Sequence, residues 1–167
     1  MIRVLVADDH DVLTEGLRQL LSVQPDIEVV GSARTGYEAI EAAAALSPDV
    51  VVMDVGMPGL NGIEAARRIR SEYPRCRIVI LSMHSDSEHV RQAFRAGASG
   101  YVLKRAAAVE MLAAVRAAHA GARYLAPELA VQLTDEAAQP DPLESLSERE
   151  REVLKLLAES HSVHDIA

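Results

Sequence analysis

Short apolar runs rich in Val and Ile alternate along residues 2–120 with segments whose apolar residues recur every three or four positions. The first pattern is typical of strands buried on both faces of a sheet, and the second of amphipathic helices. Strands are predicted at residues 2–7, 27–32, 49–53, 77–82 and 99–103, and helices at residues 11–23, 36–46, 61–72, 86–96 and 108–120. This alternation predicts an α/β fold with a doubly wound, five-stranded parallel sheet.

Polar residues stand at the carboxyl ends of four predicted strands. The first strand ends in Asp8 and Asp9, the third in Asp54, the fourth in Ser82 and the fifth in Lys104. Strand ends of a parallel sheet share one edge, and ligands bind there at the point where the strand order reverses. With the order 2-1-3-4-5, the first and third strands are neighbours, so the three aspartates are expected to converge.

Such a cluster needs a proton or a cation. Two carboxylates about 4 Å apart repel by roughly 4 kcal/mol at an effective dielectric constant of about 20. An all-oxygen site suits Mg²⁺, or Mn²⁺ in its place, and no pair of His or Cys residues indicates a softer metal. Lys104, one of two lysines beside fifteen arginines, offers a compact positive charge for phosphate oxygens. Together these residues indicate phosphoryl transfer, although any one aspartate could equally cap a helix.

Composition limits the remaining possibilities. The 167 residues are 49% hydrophobic and include one cysteine, Cys76, which is expected to fill the core. No apolar stretch is long enough to cross a membrane, and no signal sequence is apparent, so a cytoplasmic protein without membrane contact is expected. The net charge of -8 divides unevenly: residues 1–122 hold 13 basic and 15 acidic residues (-2), whereas residues 123–167 hold 4 and 10 (-6). The second part is expected to repel nucleic acid.

Three regions are predicted. Residues 1–122 form the α/β domain, and residues 123–142 form a helical linker, with a helix from Pro127 to about Ala138 and two prolines after it. Residues 143–167 become helical again, because Ser147 and Glu150 make a capping box ahead of an apolar run. That third region is predicted to be the first part of a small all-α domain.

With these residues placed, residues 1–122 resemble the receiver domain of two-component response regulators. The resemblance is carried by Asp8-Asp9, Asp54 with Met57-Pro58-Gly59 after it, Ser82, and Tyr101-Val102-Leu103-Lys104. It implies that Asp54 accepts a phosphoryl group from a sensor histidine kinase. It further implies that Mg²⁺ is held by Asp9, Asp54 and the carbonyl of Gly56, with Asp8 assisting through water.

The same resemblance assigns roles to the other strand ends. Ser82 and Lys104 would contact the phosphoryl oxygens, and Tyr101 would turn inward as the loop after the fourth strand closes. Gly56 and His84 stand where the family tunes dephosphorylation. The chain would catalyse only its own phosphorylation and dephosphorylation. An aspartate-nucleophile phosphatase is the competing enzymatic hypothesis, but such enzymes place their nucleophile at the end of the first strand.

Other segments are similar to one subfamily and suggest the output. Residues 81–84, 97–100 and 124–127 look like the NarL/FixJ type, and residues 146–154 with 165–167 resemble the opening of a LuxR-type helix-turn-helix. The family's recognition helix would follow Ala167, so DNA binding is expected of a full-length parent and not of this chain. The alternative is a phosphorylation-gated interaction module that does not bind DNA. A homodimer is expected in either case.

The remaining histidines are expected at the surface. His10 is placed in the first turn of the first helix, and His89 on the surface of the fourth. None of these histidines is expected to have companions that could bind a metal.

Overall fold

The computed structural model describes residues 1–106 and 108–131. The strands are β1 (Ile2–Ala7), β2 (Ile27–Ala33), β3 (Val50–Asp54), β4 (Arg77–Ser82), β5 (Gly100–Leu103) and β6 (Tyr124–Leu125). The helices are α1 (Asp11–Ser22), α2 (Gly36–Leu46), α3 (Gly62–Glu72), α4 (Ser87–Arg95) and α5 (Ala108–His119). All ten predicted elements are present, and each boundary lies within one residue of its prediction.

The strands form one parallel sheet in the order β2-β1-β3-β4-β5-β6. The predicted order of the first five strands is therefore confirmed. The sixth strand was not predicted: Tyr124 and Leu125 pair with Gly100 and Tyr101 of β5, in a stretch assigned to the helical linker. A strand of two residues is too short to show the alternation by which strands are found in a sequence.

The helix termini follow from local sequence. Thr35, Asn61 and Asp86 are the N-caps of α2, α3 and α4, and the side chain of each accepts a hydrogen bond from the backbone N–H three residues further on. Gly97 and Gly121 have positive φ angles of 99° and 82° just beyond α4 and α5. Glycine adopts that backbone conformation without a steric penalty, which explains why both helices stop there.

The strands supply the core. Every residue of β3 is buried, and a cluster of alternate strand residues packs against the buried side chains of α1 and α5, among them Leu17, Leu21 and Met111. The helices α2 and α3 contact each other and strands of the sheet. With β3 enclosed on its flanks by β1 and β4, its carboxyl end is fixed relative to both neighbours.

The first compact unit extends from Met1 to Ala130, and the second from Val131 to Ala167. Residues 127–131 are helical, as predicted from Pro127 onward. The rest of that predicted helix, the two linker prolines and the helix-turn-helix segment at residues 143–167 lie outside the described residues. Within the residues that are described, no helix is long and apolar enough to cross a membrane.

Candidate functional site

The polar strand ends meet at the edge where the sheet order reverses. Asp8 and Asp9 follow β1, and Asp54 ends β3, whose Met53 pairs with Ala7 of β1. One ligand atom from each of these three aspartates and from His10 lies within 4.8 Å of the others. The structure therefore brings together the three carboxylates that the strand order predicted would converge.

Two of these carboxylates are almost entirely enclosed. Asp8 and Asp54 are each 2% exposed. One oxygen of each is held by the backbone: Asp8 Oδ1 accepts a hydrogen bond from the His10 N–H at 2.9 Å, and Asp54 Oδ1 accepts one from the Gly56 N–H at 3.2 Å. The side chain of Asp9 is 30% exposed, so the cluster has one side open to solvent.

Lys104 supplies positive charge to the buried pair. Its Nζ lies 3.1 Å from Asp54 Oδ2 and 3.4 Å from Asp8 Oδ2, and its side chain is 9% exposed. The backbone N–H of Lys104 donates to the carbonyl of Ser82 at 2.8 Å, which fixes its position relative to β4. A single buried ammonium group therefore faces two carboxylates.

The cluster also contains unsatisfied acceptors. Asp8 Oδ2, Asp9 Oδ1 and Asp54 Oδ2 are buried and accept no hydrogen bond, so the two contacts of Lys104 with Asp8 and Asp54 are ion pairs without hydrogen-bond geometry. Buried polar atoms normally have partners, and three orphaned carboxylate oxygens in one place are suited to a hard cation. The acidic pocket is compatible with binding of Mg²⁺.

The two buried aspartates have different electrostatic environments. Burial raises the pKa of Asp54, and the negative charge of Asp8 adds to that rise, while Lys104 opposes it. Burial also acts to raise the pKa of Asp8, but the hydrogen bonds from His10 and the charge of Lys104 outweigh it, so that pKa is lowered. Asp54 is thus the carboxylate whose negative charge the folded protein stabilises less.

Ser82, Tyr101 and His84 form a second group beside the acids. Ser82 is 1% exposed and Tyr101 is fully buried. The Ser82 Oγ accepts a hydrogen bond from the His84 N–H at 3.0 Å, and the Tyr101 hydroxyl donates to the His84 carbonyl at 2.7 Å. Burial raises the pKa of Tyr101, which keeps this donor protonated. The inward Tyr101 and the strand-end Ser82 are therefore linked through the backbone of one residue.

His10 belongs to the cluster, although it was predicted to be a surface residue. Its Nδ1 lies 2.9 Å from Asp8 Oδ1, 3.3 Å from Asp9 Oδ1 and 3.8 Å from Asp54 Oδ2. It also lies 3.1 Å from Lys104 Nζ. The prediction was correct in that the ring is 62% exposed. Its position directly after the acid pair, at the same strand end, is the signal that could have identified it.

Gly62 was also not singled out, and it determines how closely α3 approaches the site. A Cβ atom on Gly62 would lie 1.9 Å from the carbonyl oxygen of Asp54. The Gly62 N–H instead donates to the Val55 carbonyl at 3.0 Å. The absence of a side chain allows the first turn of α3 to pack directly against the end of β3.

Comparison with known proteins identifies the family. The profile of the response regulator receiver domain matches residues 4–116. The chain belongs to this family. Among curated proteins, the response regulator GacA of Pseudomonas aeruginosa is 39% identical over an alignment of 171 positions, which covers 100% of this chain and 80% of GacA. The transcriptional regulatory protein LnrK of Bacillus subtilis is 37% identical, with 100% of this chain and 81% of LnrK covered.

Solved structures agree with this placement. A two-component response regulator of the LuxR family from Aurantimonas superposes with a TM-score of 0.79 at 39% identity, over 82% of this chain and 98% of that one. A structure of the RcsB response regulator of Salmonella typhimurium superposes with a TM-score of 0.78 at 26% identity, over 95% of this chain and 78% of that one. That structure concerns conformational dynamism for DNA interaction. This receiver chain is thus a response regulator of the NarL type, as the sequence motifs indicated.

Proposed function

We propose that this response regulator accepts a phosphoryl group on Asp54 from a sensor histidine kinase. The observation that carries the proposal is the contact of Asp54 Oδ2, an orphaned buried oxygen, with Lys104 Nζ at 3.1 Å. An oxygen without a hydrogen bond keeps its lone pairs for a nucleophilic attack. The adjacent ammonium group can neutralise charge on the incoming phosphoryl oxygens.

The transfer itself is a displacement at phosphorus. A carboxylate oxygen of Asp54 forms the new P–O bond while the P–N bond of the kinase phosphohistidine breaks, and the imidazole leaves with the electron pair of that bond. Lys104 Nζ is placed to bind a phosphoryl oxygen. The Ser82 hydroxyl accepts from the His84 N–H, so its own proton is free to be donated to another oxygen.

Asp8, Asp9, Asp54 and the backbone carbonyl of Gly56 would hold Mg²⁺, or Mn²⁺ in its place, with Asp8 acting through a water molecule. When bound, the cation supplies positive charge to the transferring phosphoryl group. The orphaned oxygens of the three aspartates support this assignment. It is also supported by electrostatics, because Lys104 alone cannot balance three clustered carboxylates.

Phosphorylation would act on the rest of the chain through Ser82 and Tyr101. A phosphoryl oxygen that accepts a hydrogen bond from the Ser82 hydroxyl would reorient that hydroxyl, which itself accepts from the His84 N–H. The Tyr101 hydroxyl donates to the carbonyl of the same residue, His84. This makes Tyr101 the buried partner of the switch. Hydrolysis of the acyl phosphate would be tuned at Gly56, where an added Cβ atom would meet nothing within 4 Å, and at His84. The chain would act catalytically only on itself.

The output would be transcriptional regulation through DNA binding, in the cytoplasm and as a homodimer. The helix-turn-helix resemblance of residues 146–154 and the name of the relative LnrK support it. A phosphorylation-gated interaction module is the alternative, favoured by the 10 acidic against 4 basic residues in 123–167. An electrophoretic mobility shift assay distinguishes the two. A specific, salt-sensitive complex supports DNA binding, and the absence of any specific complex supports the interaction module.

The phosphoacceptor is tested by incubating the chain with acetyl phosphate and Mg²⁺ and measuring its mass. One phosphoryl group is expected on the parent chain and none on Asp54→Ala. Asp11→Ala is the matched control, because Asp11 has a 75% exposed side chain and pairs with Arg34 outside the cluster. Incorporation into Asp54→Ala would refute the assignment. Repeated turnover of a phosphomonoester would instead support the phosphatase hypothesis.

A further inference from the structure

The loop between β4 and α4 carries a second cluster of possible metal ligands. One ligand atom from each of His84, Asp86 and His89 lies within 4.8 Å of the other two. His84 lies in the loop, Asp86 is the N-cap of α4 and His89 is in its first turn. No metal-binding companions were predicted for His89, because spacing alone does not reveal that the start of the helix turns its ring toward His84.

The side chains are closely associated. The rings of His84 and His89 stack with centroids 4.1 Å apart and planes 8° apart. The Nδ1 of His89 lies 2.7 Å from both carboxylate oxygens of Asp86. Two imidazole rings and one carboxylate therefore lie together in one small cluster. The neutral imidazole is the form that donates a lone pair to a metal.

We propose that His84, Asp86 and His89 form a binding site for a late first-row divalent cation, with Zn²⁺ as the principal candidate. Two imidazole nitrogens and one carboxylate oxygen are a common ligand set for such ions, and water completes the coordination. Mg²⁺ prefers oxygen ligands, so it belongs in the aspartate pocket and not here. The two sites would therefore select different ions.

The position at a helix N-terminus acts against a cation, because the helix dipole is positive there. Two carboxylates offset this effect, Asp86 as the cap and Glu88 in the first turn of α4. Asp86 also accepts a hydrogen bond from the His89 N–H at 3.3 Å, which holds its carboxylate beside the imidazole. The local charge of the cluster is thus negative when both rings are neutral.

The stacked rings must turn before their nitrogens can share one ion. The surface position of the cluster permits this, because exposed side chains change rotamer on the picosecond to nanosecond timescale. The side chains of His89 and Asp86 are 36% and 52% exposed, and His84 is exposed as well. An ion can therefore reach these side chains from solvent.

An ion at this site would bind a residue that the proposed switch also uses. The His84 backbone bonds to the Ser82 Oγ and to the Tyr101 hydroxyl. Ligation of the His84 ring would therefore restrain the loop between Ser82 and α4. The metal site does not depend on that role, since its ligands are three side chains outside the aspartate pocket.

Zn²⁺ binding to the untagged chain is measured by titration calorimetry with Mg²⁺ in excess. All chains carry His10→Gln, which removes the nitrogen donor from the aspartate pocket. We expect one Zn²⁺ per chain, bound at least about tenfold more weakly after His89→Gln. His119→Gln, at the end of α5, and the double variant His161→Gln/His164→Gln are controls that should bind as the unmodified background does.

Three results would overturn the proposal: no Zn²⁺ binding, equal binding after His89→Gln, or loss of binding in the His161/His164 variant. Electron paramagnetic resonance of the Cu²⁺-loaded chain adds a direct readout, with two nitrogen ligands expected and one after His89→Gln. Phosphorylation of the His89→Gln single variant, without His10→Gln, by acetyl phosphate in Mg²⁺ alone should be unchanged. That measurement separates failure of this site from failure of the phosphoacceptor assignment.

Discussion

Replacing Lys104 by Met removes the buried positive charge of the aspartate pocket while keeping an unbranched side chain. Nζ lies 3.1 Å from Asp54 Oδ2 and 3.4 Å from Asp8 Oδ2. At an effective dielectric constant of about 20, each pair contributes roughly 5 kcal/mol of Coulomb attraction. Most of that attraction is offset by the cost of burying the charges. The removal of one partner nevertheless leaves two buried carboxylates without a counterion.

The expected loss of stability is about 3 kcal/mol at pH 7 in EDTA, the lower end of what breaking a buried ion pair costs. For a domain of this size that corresponds to a fall of roughly 10 °C in melting temperature. A bound divalent cation replaces the missing charge. Mg²⁺ should therefore raise the melting temperature of Lys104→Met by more than it raises that of the parent chain, whereas phosphoryl transfer to Asp54 should be lost.

The assay is thermal unfolding with and without saturating Mg²⁺. The control is Arg105→Met, because the neighbouring Arg105 has a 70% exposed side chain and one surface contact with Glu128; its stability should change by less than about 0.5 kcal/mol. If Lys104→Met is as stable as the parent in EDTA, or gains no more from Mg²⁺, then Lys104 does not balance the acid cluster and the electrostatic reasoning is refuted.

Two further predictions concern the aspartate pocket and its backbone. The pKa of Asp54 is raised above its unfolded value of 3.8 in the folded state. Ionisation of Asp54 therefore lowers the stability of the protein as the pH rises from 3.8 through the folded-state pKa. Asp54→Asn should thus be more stable than the parent at pH 7 without divalent cations, with an advantage that disappears as pH falls toward 3.8; an unchanged difference across that range would contradict it. Gly62→Ala should destabilise the protein by more than about 3 kcal/mol, because its Cβ would overlap the Asp54 carbonyl. The control Gly16→Ala, in open space on α1, should instead stabilise the protein by about 0.5–1 kcal/mol. Both changes in the free energy of unfolding are measured by denaturant unfolding. Equal changes for the two substitutions would refute the packing argument.

The sequence predicted most of the fold because the local and long-range signals agreed. The central strands are runs of buried Val, Ile and Leu, and the helices α2 to α5 each have either a capping residue or a terminal glycine. The sixth strand could not be found in this way, because Tyr124 and Leu125 are held by pairing with β5 and not by a pattern of their own. Its existence depends on tertiary structure, which propensity does not report.

The site could be predicted where topology alone decides position. Asp8, Asp9 and Asp54 converge because neighbouring parallel strands end at one edge, whatever the side chains around them. Gly62 could not be singled out, because its importance comes from a backbone approach of α3 to β3 that no sequence pattern records. The association of His84 with His89 likewise depends on the direction in which α4 leaves its cap.

His10 shows why the charge balance of the pocket needs the structure. Its Nδ1 is within 3.8 Å of all three aspartates, and Lys104 Nζ is 3.1 Å from the same nitrogen. Asp8 Oδ1 lies 2.9 Å from that nitrogen, and because a carboxylate oxygen only accepts, the hydrogen bond between them requires the Nδ1–H of His10 to donate to Asp8. One lysine then faces three carboxylates, and a net negative charge remains. That charge attracts a divalent cation, and the 62% exposed ring can turn aside to admit it, since Asp8 keeps its hydrogen bond from the His10 backbone N–H.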